Sequence, residues 1–268
     1  MSLLAELTAG AVEDSEGRRA LHPLAEVERV AAAQAPARDA ASALRRGTSV
    51  RIIAEVKRAS PSRGDLAAIP DPAFQAGLYE AGGASAISVL TERRRFKGSL
   101  DDLSAVKAAV SLPVLRKDFV ATPYQVIEAR AAGADIVLLI VAALEQRVLE
   151  ELFALTLELG MTPLVEAHTA EEVARAADLG AGLIGVNARD LTTFELDRDL
   201  FGRLADGIPD DAVKIAESAV LRPSDVAHYR SAGADAVLVG EALVTGDPVA
   251  TLGAFIAAGD AVAGEEPS

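Results

Sequence analysis

The chain has 268 residues, half of them hydrophobic, with no cysteine or tryptophan and a formal net charge of −14. Without cysteine there is no disulfide scaffold, no thiolate-ligated metal and no cysteine nucleophile. The net acidity, with no basic patch to offset it, argues against nucleic acid as a partner.

The N-terminus, MSLLAELTAGAVEDSEGRR, carries acids early and lacks a basic region ahead of an apolar one, so it does not read as a signal peptide. HPLAEVERVAAAQAPARDAASALRRG then predicts two helical segments broken at Pro36, and residues 1–50 are expected to form a cap packed on the rest of the chain. The first apolar run is RIIAEVK, 51–57. Beyond it a unit recurs, an alanine-rich helical stretch, a glycine and a buried β-branched run, with the glycines at 83, 133, 180 and 233. Glycine just past a helix end accepts the left-handed conformation that stops the helix. Between these units lie LPVLRKDF (112–119), TPLVEAH (162–168) and VKIAES (213–218). Eight strands alternating with helices at about 25 residues per unit predict a (β/α)8 TIM barrel with an N-terminal helical extension. Continuous apolar strands suit a parallel sheet buried on both faces. An open doubly wound sheet is the competing fold, and its Gly-x-Gly-x-x-Gly turn is missing after the first strand. The barrel is expected over 51–257, with a frayed acidic tail at 258–268. The longest apolar run, nine residues from Ile136 to Leu144, is short of the roughly 20 a membrane helix needs, so a cytoplasmic protein is expected.

Side chains alternate along a strand. With Ile52, Ala54 and Val56 facing the helices, Glu55 and Lys57 face the barrel mouth. The same alternation turns Lys117, Glu166, Asn187, Arg189 and Glu217 inward at the C-terminal ends of their strands, where barrel enzymes keep their chemistry. Singly, each could be a solvated or paired charge; their convergence at one edge points to a site. Of the 26 basic residues only five are lysine, the other 21 arginine. Arginine cannot give up a proton at neutral pH and lysine can, so Lys57 and Lys117 at inward strand ends suggest proton transfer. Lys214 reads as structural, Lys97 and Lys107 as solvated, and His168 as a loop histidine. Phosphate is expected at the small-residue turns after the seventh and eighth strands, Ser218-Ala219 and Gly240-Glu241. The segment 60–67, SPSRGDLA, reads as a loop able to close over a ligand.

IIAEVKRASPSRG, LRKDF, LVEAH, GVNARDL, AES and VGEAL, in this order and spacing, resemble the indole-3-glycerol-phosphate synthase family over residues 20–255. The resemblance implies ring closure of 1-(2-carboxyphenylamino)-1-deoxyribulose 5-phosphate to indole-3-glycerol phosphate, with loss of carbon dioxide and water, in tryptophan biosynthesis. It implies no metal and no cofactor, and a small phosphorylated substrate. The composition gives no nucleic-acid or membrane partner, and a monomer is expected. By the same resemblance Lys117 is the general acid and Glu166 the general base. Lys57 pairs with the anthranilate carboxylate, and Glu55, Asn187 and Glu217 position these groups and the ribulose hydroxyls. Ser60 contacts the carboxylate, Phe96 and Phe119 wall the aromatic ring, and Arg189 supports the site. Phosphate rests on Ser218, Ala219, Gly240 and Glu241. A neighbouring Lys57 is expected to pull the Lys117 pKa down and the nearby carboxylates to push it up. The family usually carries Glu-Ser-Gly where this chain has Glu217-Ser218-Ala219. A Schiff-base aldolase and a non-catalytic phosphate-binding barrel are the competing readings, and the matched acids and lysines disfavour both.

Overall fold

A computed structural model describes residues 2–61, 63–190 and 195–263. Three helices, α1 (Leu3–Leu21), α2 (Leu24–Ala33) and α3 (Ala40–Leu44), precede the first strand. The chain then alternates β1 (Arg51–Val56), α4 (Pro72–Ala81), β2 (Ala86–Leu90), α5 (Leu100–Ala109), β3 (Val114–Lys117), α6 (Pro123–Ala131), β4 (Ile136–Ile140) and α7 (Gln146–Glu158). It continues through β5 (Thr162–Ala167), α8 (Ala170–Asp178), β6 (Leu183–Asn187), α9 (Leu200–Leu204), β7 (Val213–Glu217), α10 (Pro223–Ser231), β8 (Ala236–Val239), α11 (Glu241–Val244) and α12 (Pro248–Ala263). Each strand pairs in parallel with the next, and β1 closes on β8 through the register Arg51 to Ala236. The fold is a (β/α)8 barrel.

The pattern of small and apolar residues explains the closure. The four repeat glycines all adopt left-handed backbone, φ between +72° and +95°, and turn each helix into the following strand. Pro72, Pro123 and Pro223 stand in the first turns of α4, α6 and α10, where a missing N–H costs nothing. Ile52, Ala54 and Val56 pack outward in the helix–sheet layer, while Ile53, Leu115, Leu164 and Ile215 fill the barrel interior. Alternation therefore sorts the faces as expected, and it carries the residues at the upper strand ends into the mouth.

Three segments differ from expectation. Residues 3–21 form a long helix that the sequence pattern does not announce; Ser2 caps it, and Leu4, Leu7 and Ala11 join the interior cluster. The final helix runs on to Ala263, past the point where fraying was expected, because Gly259 is buried against Val50, so closely that a Cβ there would lie 2.3 Å from Val50 Cγ1. The segment after β1 contains a two-residue antiparallel ladder, Ala59–Ser60 with Gly64–Asp65; Ser62 lies outside the described residues.

Candidate active site

Every site residue singled out from the sequence lines one cleft of about 180 Å³ at the C-terminal mouth of the barrel. Strand register sets the height of the charged groups. Asn187 on β6 pairs with Glu217 on β7, and Lys117 on β3 pairs with Leu90 on β2. On β5, Glu166 pairs with Ile140.

At the floor of the cleft, Lys117 Nζ lies 2.5 Å from Glu217 Oε2 and 3.5 Å from Glu166 Oε2. The amide of Asn187 donates to Glu166 Oε1 at 3.2 Å, while its Oδ1 accepts from the Ser218 hydroxyl at 2.7 Å and the Arg189 backbone N–H at 3.0 Å. A second pair lies beside this cluster, Lys57 Nζ with Glu55 Oε1 at 2.6 Å. Two glycines make room for these carboxylates. A Cβ at Gly185 would meet Glu217 Oε1 at 2.3 Å, and one at Gly240 would meet Glu55 Oε1 at 2.6 Å. Glu217 Oε1 and Glu55 Oε2 are buried acceptors with no hydrogen-bond partner among the described residues. Such acceptors are costly in an interior unless a ligand uses them.

The electrostatics follow from this crowding. Burial pushes the Glu217 carboxyl up and Glu166 adds to it, so that Glu217 titrates at about 7 despite Lys117. Glu166 is equally buried, yet Lys117, His168 and the Asn187 amide hold it below the usual carboxylate range. Burial alone would lower Lys117; the carboxylates of Glu217, Glu166 and Glu55 overcome it and raise its pKa above that of an ordinary lysine. Lys57 is not among the main causes of that shift, and it pairs with Glu55. The carboxylates thus outweigh the expected pull from Lys57, and Lys117 is fully charged in the free protein.

Around the floor, Phe96 and Phe119 stand side by side, ring centroids 6.2 Å apart, forming one apolar wall. Also lining the cleft, Arg63 bridges to Glu241 at 2.8 Å. Ser218 and Ala219 both have left-handed backbone, φ +69° and +59°, and the Tyr229 hydroxyl donates to the Ser218 carbonyl at 3.3 Å. Alanine at 219 thus occupies the conformation that glycine favours.

Sequence reasoning missed part of the site. Leu3 and Leu7 of α1 line the cleft, and their i, i+4 apolar spacing within LLAEL was the available signal. His168, read as a loop histidine, is largely buried, with Nε2 3.5 Å from Glu166 Oε1. Lys107, read as solvated, instead holds the fully buried Asp135 at 2.6 Å. Lys97 is exposed and paired with Asp65, and Lys214 pairs loosely with Asp210. Among the described residues no cluster of His, Asp and Glu stands in metal-binding geometry, and no helix is long and apolar enough to cross a membrane.

Comparison with known proteins agrees with this geometry. The family model described as indole-3-glycerol phosphate synthase matches residues 4–252. The indole-3-glycerol phosphate synthase of Leifsonia xyli is 71% identical over 255 residues, covering 95% of this chain and 98% of that protein. The one from Mycolicibacterium gilvum is 58% identical, covering 96% and 95%. Among solved structures, thiamine phosphate pyrophosphorylase from Pyrococcus furiosus superposes with a TM-score of 0.60 at 14% identity, covering 80% of this chain and 97% of its own; that likeness concerns the fold alone.

Proposed function

The chain belongs to the indole-3-glycerol phosphate synthase family, and from that membership we propose how its residues divide the work of a decarboxylating lyase. The reaction closes the ring of 1-(2-carboxyphenylamino)-1-deoxyribulose 5-phosphate and expels carbon dioxide and water to give indole-3-glycerol phosphate, a step of tryptophan biosynthesis. Lys117 protonates the keto oxygen as the ring carbon attacks. Its charged state in the free protein, held by three carboxylates, means the acid is loaded before substrate arrives. Glu166, kept ionised, removes the proton from C1 as the hydroxyl, protonated a second time by the recharged Lys117, leaves as water. Lys57, tethered to Glu55, offers its ammonium to the substrate carboxylate with Ser60. The unpartnered oxygens of Glu55 and Glu217 accept from the ribulose hydroxyls. Asn187 holds Glu166, and Arg189 supports Asn187 through its backbone N–H. Phe96 and Phe119 stack against the aromatic ring, and the backbone of Ser218, Ala219, Gly240 and Glu241 takes the phosphate.

The observation that carries this reading is the trio of Lys117, Glu217 and Glu166 on the floor of a single cleft, an acid and a base within 3.5 Å of each other. The test supplies purified protein with the carboxyphenylamino-deoxyribulose phosphate and follows indole fluorescence. Turnover is expected with neither metal nor cofactor added. Lys117→Ala is expected to lower kcat by a factor of about 100 or more while substrate still binds. Retained turnover in that variant would remove Lys117 as the acid. We further propose a monomer acting in the cytoplasm; sedimentation at working concentration checks the oligomeric state.

A further inference from the structure

The reaction takes up a proton. The substrate carboxylate leaves as neutral carbon dioxide, and its bonding electrons stay with the ring. Two protons go to the keto oxygen, which leaves as water, and only one is recovered from C1 when the new double bond forms. Each turnover therefore draws one proton from solvent into a site whose base, Glu166, is 1% exposed and whose mouth the substrate occupies.

From the geometry behind Glu166 we propose that His168 is a proton relay joining Glu166 to solvent past Glu172, a role that rests on Glu166 being the base. The ring lies just beyond the end of β5 with two carboxylates in line. Its Nε2 is 3.5 Å from Glu166 Oε1, and its Nδ1 is 3.4 Å from Glu172 Oε2. Neither nitrogen has a closer hydrogen-bond partner among the described residues. A ring kept only for packing would leave two unpaired polar atoms buried, which is costly. Glu172 sits in the first turn of α8, held by its backbone N–H to Thr169 Oγ1, and residues 169–171 beside it are exposed. Its carboxylate also accepts the His168 backbone N–H at 2.7 Å, so ring and carboxylate move as one unit. The charged groups acting on the ring are Glu166 on its own strand, Glu172 from α8 and Glu217 from β7, with Lys117 beyond Glu166. Burial disfavours the imidazolium, and these carboxylates outweigh it and raise the His168 pKa.

In the relay step the Nε2–H bond of the imidazolium breaks as an O–H bond forms on Glu166. That proton passes from Glu166 to the deprotonated Lys117 Nζ, 3.5 Å away, and a solvent proton re-forms the N–H of the ring. The test compares His168→Ala, Glu172→Gln and Glu166→Gln. His168→Ala is expected to lower kcat by about tenfold or more, to leave KM within about twofold, and to regain activity as imidazole is added to the buffer. Glu172→Gln keeps the helix cap, since Gln serves as well at that position, and is expected to lower kcat by about threefold. A His168→Ala kcat equal to that of the parent, or a loss that imidazole leaves unmoved, overturns the relay. Should His168→Ala fail to fold, a parental kcat in Glu172→Gln overturns it instead. Glu166→Gln separates the two levels: turnover retained there removes Glu166 as base, whereas its loss beside an unaffected His168→Ala removes the relay alone.

Discussion

Ala219 offers a direct measure of backbone strain. Its φ of +59° places a Cβ-bearing residue in the left-handed region, directly after Ser218 at +69°. Left-handed backbone costs an ordinary L-residue about 1–2 kcal/mol. Ala219→Gly removes that cost, but it also frees the unfolded chain, about 0.5–1 kcal/mol, and deletes a buried methyl, about 0.8 kcal/mol. The contributions nearly cancel, so the variant alone says little and needs a matched control. Ala188, one βα loop earlier, is 2% exposed against 8% for Ala219 and is not among the residues with positive φ. Ala188→Gly meets only the two destabilising contributions, about 1.5 kcal/mol together, which for a chain this long lowers Tm by about 3–6 °C. Ala219→Gly is expected to hold Tm within about 1–2 °C. Thermal and urea unfolding of the two variants beside the parent measure the difference. An equal fall in both would refute the strain. KM for Ala219→Gly is expected to stay within about twofold of the parent if the proposed phosphate contact uses the left-handed backbone that residues 218 and 219 already adopt. A larger drop would show instead that the methyl crowds the anion.

Three further outcomes are expected of the site. Glu217 titrates at about 7 when folded and near 4.5 when unfolded, so its contribution to stability is full below pH 4.5 and is lost as pH rises through 7. At about 1.4 kcal/mol per unit this is a decline of about 3 kcal/mol; Glu217→Gln should lack it, so urea midpoints of variant and parent should shift in the variant's favour between pH 5 and 8. Parallel pH curves would reject that titration. Gly185→Ala sets a Cβ against Glu217 Oε1, swings the carboxylate off Lys117 and should lower kcat by about 100-fold with circular dichroism unchanged; a parental kcat would show that the carboxylate yields freely. Arg116→Met strips a fully buried cation from Asp118 and Glu128 and should cost about 3 kcal/mol, read as a lower urea midpoint; a neutral effect would mean that the network is dispensable.

The barrel was legible because its signals are periodic. Glycines recurring after alanine-rich stretches fixed the helix stops, and strand alternation alone sends Glu55, Lys57, Lys117, Glu166, Asn187 and Glu217 to one mouth. The first helix was hidden because its sequence, LLAELTAGAVEDSEGRRAL, mixes glycines and acids with a weak apolar stripe; it is held by tertiary contacts such as Arg18 with Glu128 rather than by propensity. His168 was hidden for a related reason. Nothing in the sequence says that Glu172, a turn later on α8, folds back over the ring, and only that contact separates a buried bridge from a loop histidine. The Lys117 pKa was undecidable for a third reason. Its sign depends on how close each carboxylate comes, and Glu217, Glu166 and Glu55 together outweigh the burial of Lys117.

The scarcity of lysine acquires a structural sense on β3. Lys117 faces the cleft, while Arg116 before it stands outside the cleft lining and holds Asp118 at 3.0 Å. Arg116 is fully buried and reaches Glu128 on α6 at 3.1 Å; Glu128 in turn binds Arg18 on α1, and Asp118 accepts from Thr91 at 2.7 Å. The strand that presents the acid is thus anchored from behind by an ion network that extends to the N-terminal helix. Every cation in that network is arginine, whose charge does not titrate at any pH the protein meets. A lysine in the place of Arg116, buried to the same degree, could release its proton and let the anchor slacken as charges shift across the site. In the cleft the proposed role of Lys117 reverses the requirement, because an acid facing the substrate must give up a proton and take it back. Arginine behind the sheet and lysine in front of it satisfy both demands within three consecutive residues.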